Sequence, residues 1–543
     1  MLKRLSGVIL ALILSVNALP QVKLGKATLV GRDVSSTVEF FGGVPFAEPP
    51  LGPLRFEPPV LRTQLPPGTR NASAYGKACV PSTVVIGEPP AFSEDCLFIN
   101  VYRPTGIAST AKLPVLFWAY GGGFGVGSSN KYDGKDIVSR SVERGTPIIY
   151  VNFNYRLGPL GFPQGQEADD RRALNLGVLD HIAALEWVQA NIHYFGGDSG
   201  KVTIFGQSAG GILAGILFLD PQLGKLARAG IFESGVSNSD TSYAAARNEP
   251  VWKMFVEKVP SCAAIASSGH TFPCLKNVTT EEMTAAAIES AFEWNSLPWA
   301  PVIDNGPGSV FPDYPSRLYA KGHFARLPSI VGTNLDEGSV FSSQEVLSDS
   351  AIKDIIVTQH SPALTTEQEL NSTVDEILKL YPEDPSIGSP YGTGKELFGL
   401  PPSFKRFASI TGDMTFEAPR RQWTQVAAKH GVPAYAYLFT QPQAVPQFGV
   451  RHGSEVPYVY GQPPSTDSTG ETISTIVMDY WISFTVSLNP NDKKGAKRPE
   501  WPQFTAKNPA LLRLEAGNTT VIKDDYRKEP LAFLIKNAFV LRR

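Results

Sequence analysis

A surplus of either charge is absent from this 543-residue chain: 49 Lys and Arg stand against 51 Asp and Glu, a net charge of -2. A nucleic-acid partner calls for a basic face that neutralises phosphates, so no nucleic acid is expected as a partner. Long apolar runs are absent as well. Past the N-terminus no segment approaches the roughly 18 to 20 uninterrupted apolar residues of a bilayer crossing, and no membrane span is expected. Ser/Gly linkers, repeats and low-complexity tracts are missing, while the 49 glycines and 45 prolines are spread throughout. Although the length alone admits several domains, residues 19–543 read as one large domain with many turns.

Cysteine is scarce. Cys79, Cys96, Cys262 and Cys274 are the whole set, with no C-x-x-C and no histidine pair nearby, which argues against a zinc site. An even number at two short spacings reads instead as two disulfides made in an oxidising compartment. Of the three possible pairings, nearest neighbours give 79–96 and 262–274. The N-terminus agrees: Lys3 and Arg4 precede the apolar run Val8 to Leu14, and Val16-Asn-Ala18 offers a small-residue cleavage site. That is the form of a secretory signal peptide over residues 1–18. Sequons at Asn71, Asn277, Asn371 and Asn518 are compatible with glycosylation after export. The mature chain is expected to be a secreted, soluble, disulfide-bonded glycoprotein.

What the chain does have is a series of short, continuously apolar runs ending in polar or glycine-rich turns. They are Leu113 to Ala119, Pro147 to Phe153, Val202 to Phe205, Ala229 to Phe232, Pro328 to Val331 and Ala434 to Phe439. Continuous apolarity marks strands buried on both faces. Between the second and third, Val178, Ile182, Leu185, Val188 and Ile192 recur at helical spacing and predict a helix with one apolar face. A second helix is expected over Ile473 to Leu488. Alternating strand and helix give an α/β fold with a large, mostly parallel central sheet flanked by helices. Ligands of such sheets sit beyond the C-terminal ends of the strands.

One of those ends carries Gly206-Gln207-Ser208-Ala209-Gly210, placed between an apolar strand and a small-residue helix, Gly211 to Leu217. This is the context of a nucleophile elbow, a sharp turn that exposes one serine hydroxyl. The pentapeptide alone is weak, since about a third of one such match is expected by chance in a chain this rich in glycine. Its meaning depends on partners: a base to take the serine proton, a group to orient that base, and donors for an oxyanion.

Donors are offered by Tyr120-Gly121-Gly122-Gly123-Phe124-Gly125, where successive glycines open the backbone N–H groups to a substrate. A nucleotide loop is the rival, but Val126 and Ser128 stand where G-x-G-x-x-G needs its last glycine, and no G-K-[ST] follows. Among seven histidines, His181 lies inside the first helix and His193 at its end, while His452 sits in a glycine-bracketed loop after the strand ending at Phe439. That placement brings an imidazole to the right edge of the sheet. The loop Val331 to Gly338 offers Asp336 and Glu337 as orienting acids, and spacing does not choose between them.

Taken together, Tyr120–Phe124, Gly206–Gly210, Asn334–Gly338 and Arg451–Glu455 resemble the type-B carboxylesterase/lipase family, which includes cholinesterases and secreted fungal lipases. Matching segments also occur at 41–50, 93–97, 154–158 and 191–197, so the resemblance runs from about residue 24 to 505 in the right order. It implies an α/β-hydrolase fold and a serine esterase with Ser208 as nucleophile, Glu337 as orienter and His452 as base. Gly122, Gly123 and Ala209 would supply the oxyanion hole. Both cysteine pairs fall where the family places its disulfides, and Glu94 with Arg156 would form a buried ion pair. The substrate would be a small-molecule or lipid ester, with no cofactor and no metal.

Two departures stand out. Gln207 occupies a position where the family usually has Glu. The loop between Cys79 and Cys96 is short where lipases of the family carry a longer lid, which favours an open esterase site. The resemblance leaves a lipase or sterol-ester hydrolase as the alternative, and a non-catalytic binding protein as a weaker one, since every triad position is filled. Loops such as Phe292 to Trp299 are expected to wall the acyl pocket.

Overall fold

The computed structural model describes residues 19–83, 91–294, 298–304 and 306–543. The signal-peptide expectation for residues 1–18 lies outside them, as do most of the short loop after Cys79 and the middle of the loop Phe292 to Trp299. Among the described residues the main sheet has eleven strands. Seven consecutive ones run parallel, in the spatial order Ala510–Leu514, Ala434–Phe439, Ser329–Asn334, Ala229–Glu233, Gly197–Gln207, Leu113–Ala119 and Ile149–Phe153. Antiparallel strands close both sides: Thr520–Lys523 beside Ala510–Leu514, and Phe98–Pro104, Val38–Pro45 and Arg32–Asp33 beyond Ile149–Phe153. A separate three-stranded sheet joins Gln21–Leu24, Ala27–Val30 and Gly68–Asn71.

The apolar runs correspond to these parallel strands. Every residue of Ile149–Phe153, Ala229–Glu233, Ser329–Asn334 and Ala434–Phe439 is buried, as strands covered by helices on both faces require. The second expected helix is present as Gly470–Ser487, with Leu488 in the left-handed conformation at its end.

The helix Leu176–Asn191 differs from its expected single apolar face. Leu176, Asp180, His181, Ala184, Leu185 and Trp187 are all buried, so it is enclosed nearly all round, while Ile182 is only half-buried. Its polar residues are accommodated inside. His181 packs against the rings of Phe117 and Phe153 at 5.6 and 5.0 Å, and burial pushes its pKa down to about 3, which keeps it neutral.

Asp180 of this helix also corrects the expected Glu94–Arg156 pair. Arg156 is held by Asp180, with Nη2–Oδ1 at 2.7 Å and Nε–Oδ2 at 2.9 Å, and its own backbone N–H donates to Oδ2 at 2.9 Å. Glu94 is instead gripped by Arg55 through two bonds of 2.6 and 2.7 Å. The remaining donors of Arg55 reach the carbonyls of Leu275 and Val278, so that pair ties the N-terminal segment to residues 275–278. Each guanidinium took the carboxylate that its neighbouring element presents in a bidentate pose. Both disulfides form as paired by proximity, Cys79–Cys96 and Cys262–Cys274.

Candidate active site

Five adjacent parallel strands deliver their C-terminal ends to one edge in the order 119, 207, 233, 334 and 439. The glycine loop, Ser208, Ser234, Glu337 and the loop bearing His452 follow from them. The last loop is long, and it is drawn back by a bridge that pairs Asp336 with Arg451, setting Glu337 and His452 side by side.

Ser208 has φ 55° and ψ -128°, a conformation that costs a residue with a side chain of the order of 1–3 kcal/mol. The flanking glycines make that turn sterically feasible. A Cβ at Gly210 would stand 2.0 Å from the Ala119 carbonyl oxygen, and one at Gly206 would stand 2.5 Å from the Gly210 carbonyl carbon. Ser208 is fixed at both ends, its N–H donating to the Glu233 carbonyl at 2.9 Å and its own carbonyl accepting from Ile212 at 2.9 Å. Ala209 then starts the helix Ala209–Leu217, so its N–H is one of the donors a helix leaves unpaired.

Among the described residues the N–H groups of Gly122 and Gly123 likewise have no internal hydrogen-bond partner. At Gly122, φ is +123° and a Cβ would meet the Val126 carbonyl oxygen at 2.1 Å, so the tight turn admits only glycine there. Three unspent donors thus border the serine, an arrangement able to receive a developing oxyanion.

Of the two acids that spacing left open, the structure separates the roles. Asp336 accepts from Ser389 Oγ and from the backbone N–H groups of Tyr391 and Val450, each at 2.9 Å. It pins two loops and spends its acceptors there rather than on the imidazole. Glu337 Oε2 lies 2.5 Å from His452 Nδ1. Its other oxygen accepts from Ser234 Oγ at 2.5 Å and from the Asn334 N–H at 2.6 Å.

His452 is roofed by aromatic rings, Phe416 at 4.5 Å and Phe341 at 5.0 Å between centroids. Phe416 belongs to a π-helical turn, Asp413–Glu417, and the Glu417 carboxylate fastens that turn to Thr333 Oγ1 at 2.6 Å. Phe341 is 45% exposed beside Val340 and forms an apolar lip. At Nε2 the imidazole meets Gln207 Nε2, at 3.1 Å. Among the described residues Ser208 Oγ has no hydrogen-bond partner.

Behind Glu337 stand two further buried carboxyls that sequence reasoning missed. Glu455 accepts from Asn334 Nδ2 at 2.5 Å; burial and the neighbouring Glu337 push its pKa up to about 7. Burial raises Glu233 well above the carboxylate range, with Glu455 adding to the effect, and Trp481 Nε1 donates to it at 2.6 Å. The available signal was positional: Glu233 and Ser234 end an apolar run at the same sheet edge, and Glu455 follows His452 by one helical turn. Among the described residues no cluster of His, Cys, Asp and Glu is arranged to hold a metal ion.

Comparison with known proteins gives a consistent picture. A family model described as the Carboxylesterase family matches residues 18–534. A secreted triacylglycerol lipase of Gibberella zeae is 34% identical over 96% of this chain and 90% of its own length. A secreted lipase of Botryotinia fuckeliana is 32% identical over 94% and 91%, respectively. Among solved structures, Aspergillus niger EstA superposes with a TM-score of 0.83 at 28% identity, covering 97% of this chain and all of that one (100%). A PNB esterase gives a TM-score of 0.76 at 26% identity, covering 95% and 99%. The likeness thus spans nearly the whole chain.

Proposed function

The chain belongs to the carboxylesterase family and is a carboxylic ester hydrolase, and from that premise we propose that it is a secreted esterase working through an acyl-enzyme on Ser208. Glu337 orients the base and His452 is that base. The observation carrying this reading is the 2.5 Å bond between Glu337 and His452. It aims the far nitrogen of the imidazole at the elbow that holds Ser208.

In the proposed cycle Nδ1–H of His452 is held by the Glu337 carboxylate, leaving a lone pair on Nε2. Once Nε2 engages the Ser208 hydroxyl it takes the proton as Oγ attacks the ester carbonyl carbon. The carbonyl oxygen becomes an oxyanion and is received by the N–H groups of Gly122, Gly123 and Ala209. The imidazolium, balanced by Glu337, gives its proton to the departing alcohol oxygen, and the carbon–oxygen bond breaks. Water then enters; His452 takes one of its protons, hydroxide adds to the acyl carbon, and Ser208 leaves with the proton returned.

Secretion is supported by the two disulfides and by the relatives from Gibberella zeae and Botryotinia fuckeliana, which are named as secreted lipases. Those names also favour a second reading, a lipase acting on long acyl chains, for which the exposed lip of Val340 and Phe341 is a suitable apolar contact. Hydrolysis of nitrophenyl esters from short to long acyl chains, beside Ser208→Ala, tests both. A short-chain optimum lost in the variant is expected for the esterase. A long-chain optimum that rises on emulsified substrate would move the enzyme to the lipases, and activity surviving Ser208→Ala would overturn the assignment.

A further inference from the structure

Gln207 sits between the nucleophile and the base, and its contacts give it a task of its own. We propose that Gln207 is a positioning residue whose side-chain amide occupies Nε2 of His452 in the resting enzyme, holding the base off Ser208 until substrate displaces it. This inference rests on the Ser208–Glu337–His452 reading above.

The protons on the ring follow from its partners. Nδ1 faces a Glu337 carboxylate oxygen at 2.5 Å, and an acceptor on that side assigns the ring proton to Nδ1. In the neutral imidazole Nε2 then holds a single lone pair. The amide nitrogen of Gln207 stands 3.1 Å from it and donates into it. A base whose one lone pair is occupied does not also accept from a serine, and among the described residues Ser208 Oγ is indeed without a hydrogen-bond partner. The serine–histidine link is therefore open in the resting state and closes only when the amide yields.

The slot around the amide is cut to its shape. Gln207 is 6% exposed. A Cβ on Gly121 would come within 2.6 Å of Gln207 Oε1, and one on Gly453 within 3.5 Å of Gln207 Nε2. A glycine of the oxyanion loop and a glycine of the histidine loop thus flank the amide, and no side chain from either crowds it. An amide carries a donor and an acceptor on one carbon. Its donor faces Nε2 while its Oε1 lies towards Gly121, so it engages the neutral ring without adding charge.

The charged groups facing His452 are Glu337 at Nδ1 and Glu455 behind it, with Glu233 beyond Glu455. The other neighbours are the rings of Phe341 and Phe416. Donation from Gln207 stabilises the neutral imidazole, so its removal moves the acid limb of the pH–kcat/KM profile upward.

The test uses the full chain with Gln207→Leu and Gln207→Glu. For Gln207→Leu the acid limb should rise by about half to one pH unit. A fluorophosphonate should label Ser208 about fivefold faster near pH 8, because the lone pair is freed. For Gln207→Glu, which accepts only from the imidazolium, the limb should rise by about one unit or more. Both shifts should persist in a Glu455→Gln background, which removes the titrating carboxyl behind Glu337. Should the leucine variant fail to fold, Gln207→Met, which keeps the length of the side chain without a donor, is read in its place, with the same rise of the acid limb and faster labelling expected. An unmoved acid limb in the presence of Ser208-dependent turnover would overturn this inference and leave the triad standing. Turnover independent of Ser208 would overturn both.

Discussion

Ser234 Oγ lies 2.5 Å from Glu337 Oε1, on the oxygen opposite the one that meets His452. The carboxylate is thereby held from both sides, and Ser234 is itself placed by a left-handed backbone (φ 50°) at the end of the neighbouring strand. Replacing Ser234 with Ala removes one charge-assisted bond, and kcat should fall about tenfold with KM little changed. Steady-state kinetics on a soluble nitrophenyl ester read this directly.

Glu337 and Asp336 are adjacent acids with opposite duties, and their variants should part accordingly. Glu337→Gln keeps the shape but disturbs the tautomer and charge balance of His452, so kcat should drop by on the order of 10³–10⁴ with Tm nearly unchanged. Asp336→Ala strips an acceptor from Ser389, Tyr391 and Val450. It should cost about 1–3 kcal/mol of stability, visible in a thermal melt.

The oxyanion loop makes its own prediction. A methyl at Gly122 would collide with the Val126 carbonyl and force the turn open. In Gly122→Ala kcat should fall by about 10²–10³, the loss associated with one displaced donor. Substrate binding should change far less, which a comparison of KM values checks.

Glu455 gives stability a pH dependence of known sign. Its folded-state pKa of about 7 lies above the ordinary 4.5, so between those values the folded chain keeps a proton that the unfolded chain has lost. This group's contribution is greatest at the acid end and declines as pH rises through about 7. Glu455→Gln cannot ionise and still accepts from Asn334. Its stability relative to the parent should therefore improve from pH 5 to pH 8, by on the order of 1–3 kcal/mol, in paired thermal or denaturant melts.

Much of this was legible in the chain because buried parallel strands carry a plain signature. Leu113 to Ala119 and Ala434 to Phe439 are strands with the same limits that their apolar runs suggested. The elbow and the glycine loop were readable because steric demand leaves few residue choices at Gly122, Gly206 and Gly210. Polar partners inside the fold were less legible. Glu94 and Arg156 are both buried and both paired, yet with Arg55 and Asp180, since pairing depends on which element presents a carboxylate in reach. The helix Leu176–Asn191 misled for a related reason: Asp180 and His181 look like a solvent face until a guanidinium and two phenylalanine rings cover them. Gln207 stands out in the sequence only as a departure from the usual Glu, whereas its bond to His452 is a property of two loops far apart in sequence.

The acyl-enzyme on Ser208 is the centre of the account, and trapping it is the most direct test. The enzyme would be mixed with nitrophenyl butyrate, quenched in acid within the first turnovers, and digested for mass spectrometry. A burst of nitrophenol and one butyryl group on the peptide containing Ser208 are expected, with neither seen for Ser208→Ala. Sustained turnover with no acyl group on that peptide, or a full burst from Ser208→Ala, would contradict it.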